Sequence, residues 1–363
     1  MNKFIPKFIL GCLATATAIG LSTIAIAQDG MIAPPAKPAP TAKPHRGEPS
    51  PKPSPKDSSF KFETPPLPPE NWMYRGDTYE RSIAVAPNVN VTLCVIQGDL
   101  RINGWSRNEV RVFIKDGSRI SFKIREKSTK DDRPIWISPI GYDPKKVDKN
   151  FPDCIWGETI EIDVPMNSSV EIKGQETGAI VDSIKSIWIK NVGGDISIRN
   201  ISNSTTALTY EGDVTVESCE GPVNLETTSG NITAFEVSAK EISDRFRAKT
   251  SSGTISLLGV GHRQTEATSI SGSIFFTGDI RPGGLYGLGT SNGSIRMTVP
   301  AKSAFHLWAT YGYGSFTNEL PIKIETETIQ PGPIKKVSGK VNNGSDATVK
   351  LSTNNGSIAI KKS

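Results

Sequence analysis

The chain has 363 residues, 22% of them charged and 36% hydrophobic, with 33 glycines and 26 prolines. That composition fits one large domain or two ordinary ones, and excludes a membrane bundle and a highly charged disordered chain. Setting aside Lys3 and Lys7 of an N-terminal leader lowers the formal charge from +5 to about +3, which is no footprint for nucleic acid.

Two lysines in Met1–Lys7 precede an uncharged run, Phe8 to Ala27, that ends Ala25-Ile26-Ala27 before Gln28. This pattern predicts a cleaved secretory signal over residues 1–27. An uncleaved anchor is the alternative, since about 20 apolar residues can span a bilayer. Either reading places the remainder outside the cytoplasm, in the periplasm, on the surface or secreted. Ile9-Leu10-Gly11-Cys12 resembles a lipoprotein site, but the apolar run continues beyond the cysteine and lipidation is not expected.

Half of the prolines fall between Pro34 and Pro69. Proline lacks the amide donor and restricts its predecessor, so residues 28–70 are predicted to form an extended tether rather than helix or sheet. Residues 71–363 are then a single β-repeat region. Its opening unit runs from Val89 to Lys115, and residues 118–157, with Trp136, Tyr142, Cys154 and Trp156, form a hairpin-and-loop excursion. Glu158-Thr159-Ile160-Glu161-Ile162-Asp163-Val164 returns as a half-buried strand by its strict alternation.

Seven corners recur, at Gly212, Gly230, Gly253, Gly272, Gly293, Gly314 and Gly356, and Gly194 extends them backward. Five before each stand Ala207, Leu225, Ala248, Ala267, Leu288, Ala309 and Leu351. Three before stand Thr209, Thr227, Thr250, Ser269, Thr290, Tyr311 and Thr353. Two after come Val214, Ile232, Ile255, Ile274, Ile295, Phe316 and Ile358. The period is two on each side of the glycine, but the parity flips across it, so the chain must bend there for both halves to face one core. The predicted fold is all-β: a β-solenoid, like a single-stranded β-helix, with coils of about 20 residues and inward hydroxyl ladders bonding the next coil. An antiparallel sandwich of hairpins at the Asn-Gly steps is the competing architecture. The 42-residue interval from Gly314 to Gly356 would hold two coils, although Asn343-Gly344-Ser345 divides it unevenly.

The Thr-x-Ser-Gly-x-Ile unit is accompanied by Gly98-Asp99-Leu100 leading to Gly104-Trp105-Ser106-Arg107, and by the closing Leu351-Ser352-Thr353-Asn354-Asn355-Gly356-Ser357-Ile358. Together they resemble the bacterial "putative adhesin" β-repeat domain family over roughly residues 85–363. The resemblance implies a solenoid-like fold and export, and carries over no functional residues.

Chemistry is sparse. His45, His262 and His306 stand in no ligand spacing and are read as surface or hydrogen-bonded histidines. Asp99, Asp195 and Asp213 follow the corner glycine, but the slot becomes Asn231, Thr254, Ser273 and Ser294, so no calcium ladder is sustained and they read as turn residues. Gly289-Thr290-Ser291-Asn292-Gly293 matches a nucleophile elbow, yet no helix is expected after it. No catalytic residue, metal ligand or cofactor site is assigned. Cys94, Cys154 and Cys219 suit one disulfide and one leftover thiol. Cys94 pairing with Cys154 is predicted, because the excursion should fold back over the opening unit. Trp308 in an outward slot and Tyr313 at a corner are the candidate binding surface; the rival reading has them cover a coil edge against the stretch after Pro321.

The reading is of a non-enzymatic exported envelope or surface protein with an adhesin-like binding or structural role. Its partner would be an envelope glycan or a surface protein, and only the leader would meet the membrane. The alternative is a polysaccharide lyase or hydrolase on a β-helix, which needs paired acids on one face.

Overall fold

The computed structural model describes residues 77–142, 153–328 and 334–363. The leader, the tether, Cys12 and His45 lie outside the described residues.

The strands begin with β1 (Thr78–Ala84), β2 (Asn90–Trp105) and β3 (Glu109–Lys115), then β4 (Arg119–Lys127) and β5 (Pro134–Tyr142), β6 (Thr159–Pro165) and β7 (Ser169–Asp182). Long and short strands then alternate: β8 (Ser186–Lys190), β9 (Ile196–Arg199), β10 (Ser204–Glu211), β11 (Val214–Glu217), β12 (Val223–Ser229), β13 (Ile232–Phe235), β14 (Arg245–Ser252) and β15 (Ile255–Leu258). The alternation continues through β16 (Gln264–Ser271), β17 (Ile274–Thr277), β18 (Leu285–Asn292), β19 (Ile295–Val299), β20 (Phe305–Tyr313) and β21 (Phe316–Asn318). Last come β22 (Ile322–Thr328), β23 (Lys335–Val341), β24 (Thr348–Asn355) and β25 (Ile358–Lys362).

Each repeat is one long strand, a bend at its glycine and one short strand. Successive repeats pair in parallel and in register, long on long and short on short: Leu225 lies beside Ala248 and Ala267 beyond it, and Ile232 beside Ile255 and then Ile274. Parallel pairing of consecutive copies is solenoid-like and rules out the hairpin sandwich. The inward slots form one continuous core, with Leu225, Ile255, Ile274, Ile295 and Ile358 all buried. A third row closes each coil, where Ile201, Cys219, Val237 and Val260 are buried one above another.

Three ladders fix the corners. A Cβ on Gly230, Gly253, Gly272, Gly293 or Gly356 would stand 1.9–2.1 Å from the carbonyl oxygen of the glycine one coil below. Only glycine permits that approach, and most of these corners hold positive φ besides, as at Gly253 (φ +156°). The carbonyls of Gly212, Gly230, Gly253, Gly272 and Gly293 accept the hydroxyls of Thr227, Thr250, Ser269, Thr290 and Thr353 at 2.8–3.0 Å. After the corner, the backbone N–H groups of Asp213, Asn231 and Thr254 donate to side-chain oxygens of Asp195, Asp213 and Asn231 at 2.7–2.9 Å. Of the aspartates read as turn residues, Asp195 and Asp213 therefore do a second job, joining coil to coil.

The order of coils is not the order of the chain. The interval after Gly314 holds no pair of parallel coils: β22 and β23 form an antiparallel hairpin, β23 pairs antiparallel with β20, and Asn343-Gly344 is a turn. The chain then doubles back, and β24–β25 inserts between the coil of β18–β19 and that of β20–β21. The serine ladder traces the same path, from Ser273 to Ser294, to Ser357, and only then to Ser315. Insertion is possible because these three coils present matching inward patterns, so Leu351 meets Leu288 on one side and Ala309 on the other.

Antiparallel strands cover both ends. At the N-terminal end β1, β3 and β6 pair antiparallel in turn, and β6 lies parallel to the second half of β2. The excursion supplies the hairpin β4–β5, and the start of β5 pairs with the start of β2. The outermost strands carry charge, Arg119, Lys123, Arg125 and Lys127 on β4 and Glu325 and Glu327 on β22, which blunts edge-to-edge pairing.

Candidate functional site

Trp308 on β20 points outward, 57% exposed, beside Lys350 on β24 and Ser338 on β23. Tyr313 at the corner is 72% exposed. The hairpin after Pro321 pairs with β20 through its backbone and leaves both rings uncovered. Strand rise separates Trp308 from Tyr313 by about 16 Å, so they are two contacts and not one patch. Between them Tyr311 turns inward and stacks on Phe316, centroids 6.2 Å apart.

Cys94 and Cys154 form a disulfide. It pins the returning excursion to β2, where Ile155 donates to the Cys94 carbonyl at 2.9 Å and its own carbonyl accepts from Ile96 at 2.9 Å. Cys219 is a free, fully buried thiol in the slot held elsewhere by Ile201 and Val237. Burial pushes its pKa up, which keeps it protonated and unreactive.

His262 is fully buried rather than on the surface, Nε2 lying 2.8 Å from the Gly221 carbonyl and the ring tilted against Phe246. Burial lowers its pKa, and Nδ1 has no partner, so Nε2 carries the proton. Ser291 lies on β18 and is followed by the strand β19, which lacks the turn into a helix that an elbow needs. Asp195 and Asp213 are occupied as acceptors in the corner ladder.

A second aromatic site lies near the other end. The long-strand face holds an open groove of 370 Å³ across β5, β2, β7, β8 and β10. Trp136, 39% exposed, stands on one side and the half-buried Trp188 on the other. Thr92, Glu171 and Trp188 are register partners on adjacent strands, with Thr206 beyond them. Glu171 pairs with Lys173 at 3.2 Å. The sequence carried a signal for Trp188: it stands between the inward Ile187 and Ile189, six before Gly194, the same outward slot as Trp308. Nothing local pointed to Trp136 as its neighbour, because the excursion brings it there.

The Toastrack DUF4097 family description matches residues 155–361. Among solved structures, the chain is similar to a "putative adhesin" from Parabacteroides distasonis at 14% identity, covering 62% of this chain and 91% of that one with a TM-score of 0.37. A "putative adhesin" from Bacteroides fragilis matches at 13% identity over 79% and 97%, TM-score 0.35. A "putative lipid binding protein" from Parabacteroides distasonis matches at 11% identity over 80% and 98%, TM-score 0.25. A search of curated protein sequences finds no match.

Proposed function

The chain belongs to the Toastrack DUF4097 family, and we propose that it is an exported, non-enzymatic envelope or cell-surface protein that binds through the outer faces of a rigid, capped β-solenoid. The observation that carries this reading is the use made of the recurring polar side chains. Hydroxyls and carboxylates at the corners are spent on holding coil to coil, from Asp195 through Ser315 and from Thr227 through Thr353. What the solenoid offers outward is a stiff array of polar and charged side chains with exposed aromatics set among them, including Trp308 and Tyr313. Rigid aromatic side chains supply contact area at low entropic cost. The Cys94–Cys154 disulfide supports an oxidising, extracytoplasmic location.

The test has two parts. Thiol trapping of protein taken from cells should find Cys94 and Cys154 oxidised and Cys219 free. Purified mature chain should sediment with cell-envelope fractions and lose that association on Trp308→Ala or Tyr313→Ala substitution. Shortening of any envelope or plant polysaccharide by the pure protein would replace this reading with the enzymatic one.

A further inference from the structure

Trp136 and Trp188 face one open floor from strands three spacings apart, about 14 Å. The Trp136 ring is set by its surroundings. The Trp136 indole N–H donates to Thr92 Oγ1 at 3.0 Å, and the Arg125 guanidinium lies 5.9 Å over its ring. Arg125 is itself held, its Nε donating to Ser138 Oγ at 2.7 Å. Trp188 stands on a five-residue strand between two buried isoleucines, Ile187 and Ile189. The floor between the rings is open sheet, and its outward side chains are short hydroxyls and the Asn90 amide, with Glu171 the acid among them and already paired to Lys173.

We propose that this groove is a binding site for a neutral oligosaccharide. A pyranose presents an apolar face of C–H bonds, which stacks on an indole, and an equatorial belt of hydroxyls, which exchange hydrogen bonds with serine and threonine. Two tryptophans on strands about 14 Å apart suit a run of linked rings laid across the strands rather than a single sugar. Short hydroxyls donate and accept without a net charge, and Glu171 is already neutralised by Lys173, so the floor offers no unpaired carboxylate or cation cluster to select a charged polymer. Trp136 is held before the ligand arrives, so little ordering of that ring is lost on binding. Trp136 and Thr92 lie outside the segment that matches the family and Trp188 inside it. The site is therefore composite, closed by this chain's own excursion.

The inference deepens the reading of the protein as a binding module and rests on it. The experiment is titration calorimetry of the mature chain with malto-, cello- and chito-oligosaccharides, alongside oligogalacturonate. One neutral series should bind. Trp136→Ala and Trp188→Ala should each weaken it by about tenfold or more, as loss of a buried aromatic anchor does. Thr268→Ala, on the same face in the middle of the solenoid, should leave affinity unchanged within about twofold. Should Trp188→Ala fail to fold, Thr206→Arg blocks the groove from an outward position and should abolish binding by itself. Absence of binding by every neutral series overturns the proposal, as does binding that survives all three groove variants or preference for the galacturonate. Loss of the glycan site with envelope association intact would leave the binding reading standing. Shortening of the bound oligosaccharide would instead keep the site and overturn the non-enzymatic reading.

Discussion

Replacing Gly253 by alanine should be among the most damaging single changes in the solenoid. Gly253 sits at φ +156°, and its Cβ would stand 1.9 Å from the Gly230 carbonyl oxygen and 2.6 Å from the carbonyl carbon. Both atoms are backbone, so relief requires the coils to part by more than 1 Å on the order of a van der Waals overlap. The backbone conformation alone costs a residue with a Cβ about 1–3 kcal/mol. Parting the coils also strains the bond from Thr250 Oγ1 to the Gly230 carbonyl and that from Gly230 N–H to the Ser252 carbonyl, 3.0 and 2.9 Å, each worth about 1 kcal/mol. The expected loss is about 3–5 kcal/mol, read as the shift of the urea midpoint at constant slope. Outward Ser251→Ala, two residues away on the same strand, should stay within about 0.5 kcal/mol. Equal midpoints for Gly253→Ala and Ser251→Ala would refute the close-packed corner.

Further expectations follow from the core and the buried polar groups. Ile255→Ala and Ile274→Ala should each cost about 2–5 kcal/mol; because the two are register partners, the double variant should depart from additivity, whereas Ile196→Ala with Ile358→Ala should add within about 0.5 kcal/mol. His262 gives a pH dependence. Its folded pKa lies below the ordinary 6.5, so both states are neutral above about pH 6.5 and stability is full there. Below that, the unfolded chain takes up a proton that the folded one refuses, and stability falls by up to about 1.4 kcal/mol per pH unit until the folded pKa is reached. His262→Gln should flatten that limb of a Tm-against-pH curve, and an unchanged curve would remove His262 from the account. Calcium or a chelator should leave Tm unmoved, since the Asp195 and Asp213 carboxylates already accept backbone N–H groups; stabilisation by calcium would show that they ligate it.

The corners and the inward faces were legible because they are local. Positive φ at Gly253 and the inward placement of Thr250 and Ile255 are written within a few residues of one another, so one coil predicts the next. The coil of β7, and its joint with the next coil at β8, shows how far that legibility reaches. There Thr177 takes the glycine slot and Asn191 the threonine slot, its amide donating to the Thr177 carbonyl at 2.7 Å, and Gly174 leaves room for it. The same hydrogen bond is made by different residues, which hides the coil from a pattern search. Coil order was not legible at all. Matching inward patterns make the coils of β18, β20 and β24 fit neighbours for one another, so the insertion of β24–β25 is decided by the cap that β22–β23 builds on β20. The Trp136–Trp188 groove was hidden for a related reason: its two sides are separated by an excursion whose path no periodicity records.

Coil order is also the claim most directly open to measurement. In this fold Ala359 lies in register with Arg296 on one side and Thr317 on the other, all on the outward face of the short strands. Cysteine pairs at these positions would meet at the spacing of adjacent strands, about 4.8 Å, within disulfide reach. Oxidation followed by peptide mapping should therefore link Arg296→Cys with Ala359→Cys, and Ala359→Cys with Thr317→Cys. It should not link Arg296→Cys with Thr317→Cys, which stand two strands apart. A bridge between the last pair, with none to position 359, would place the coils in chain order and contradict the inserted C-terminal coil.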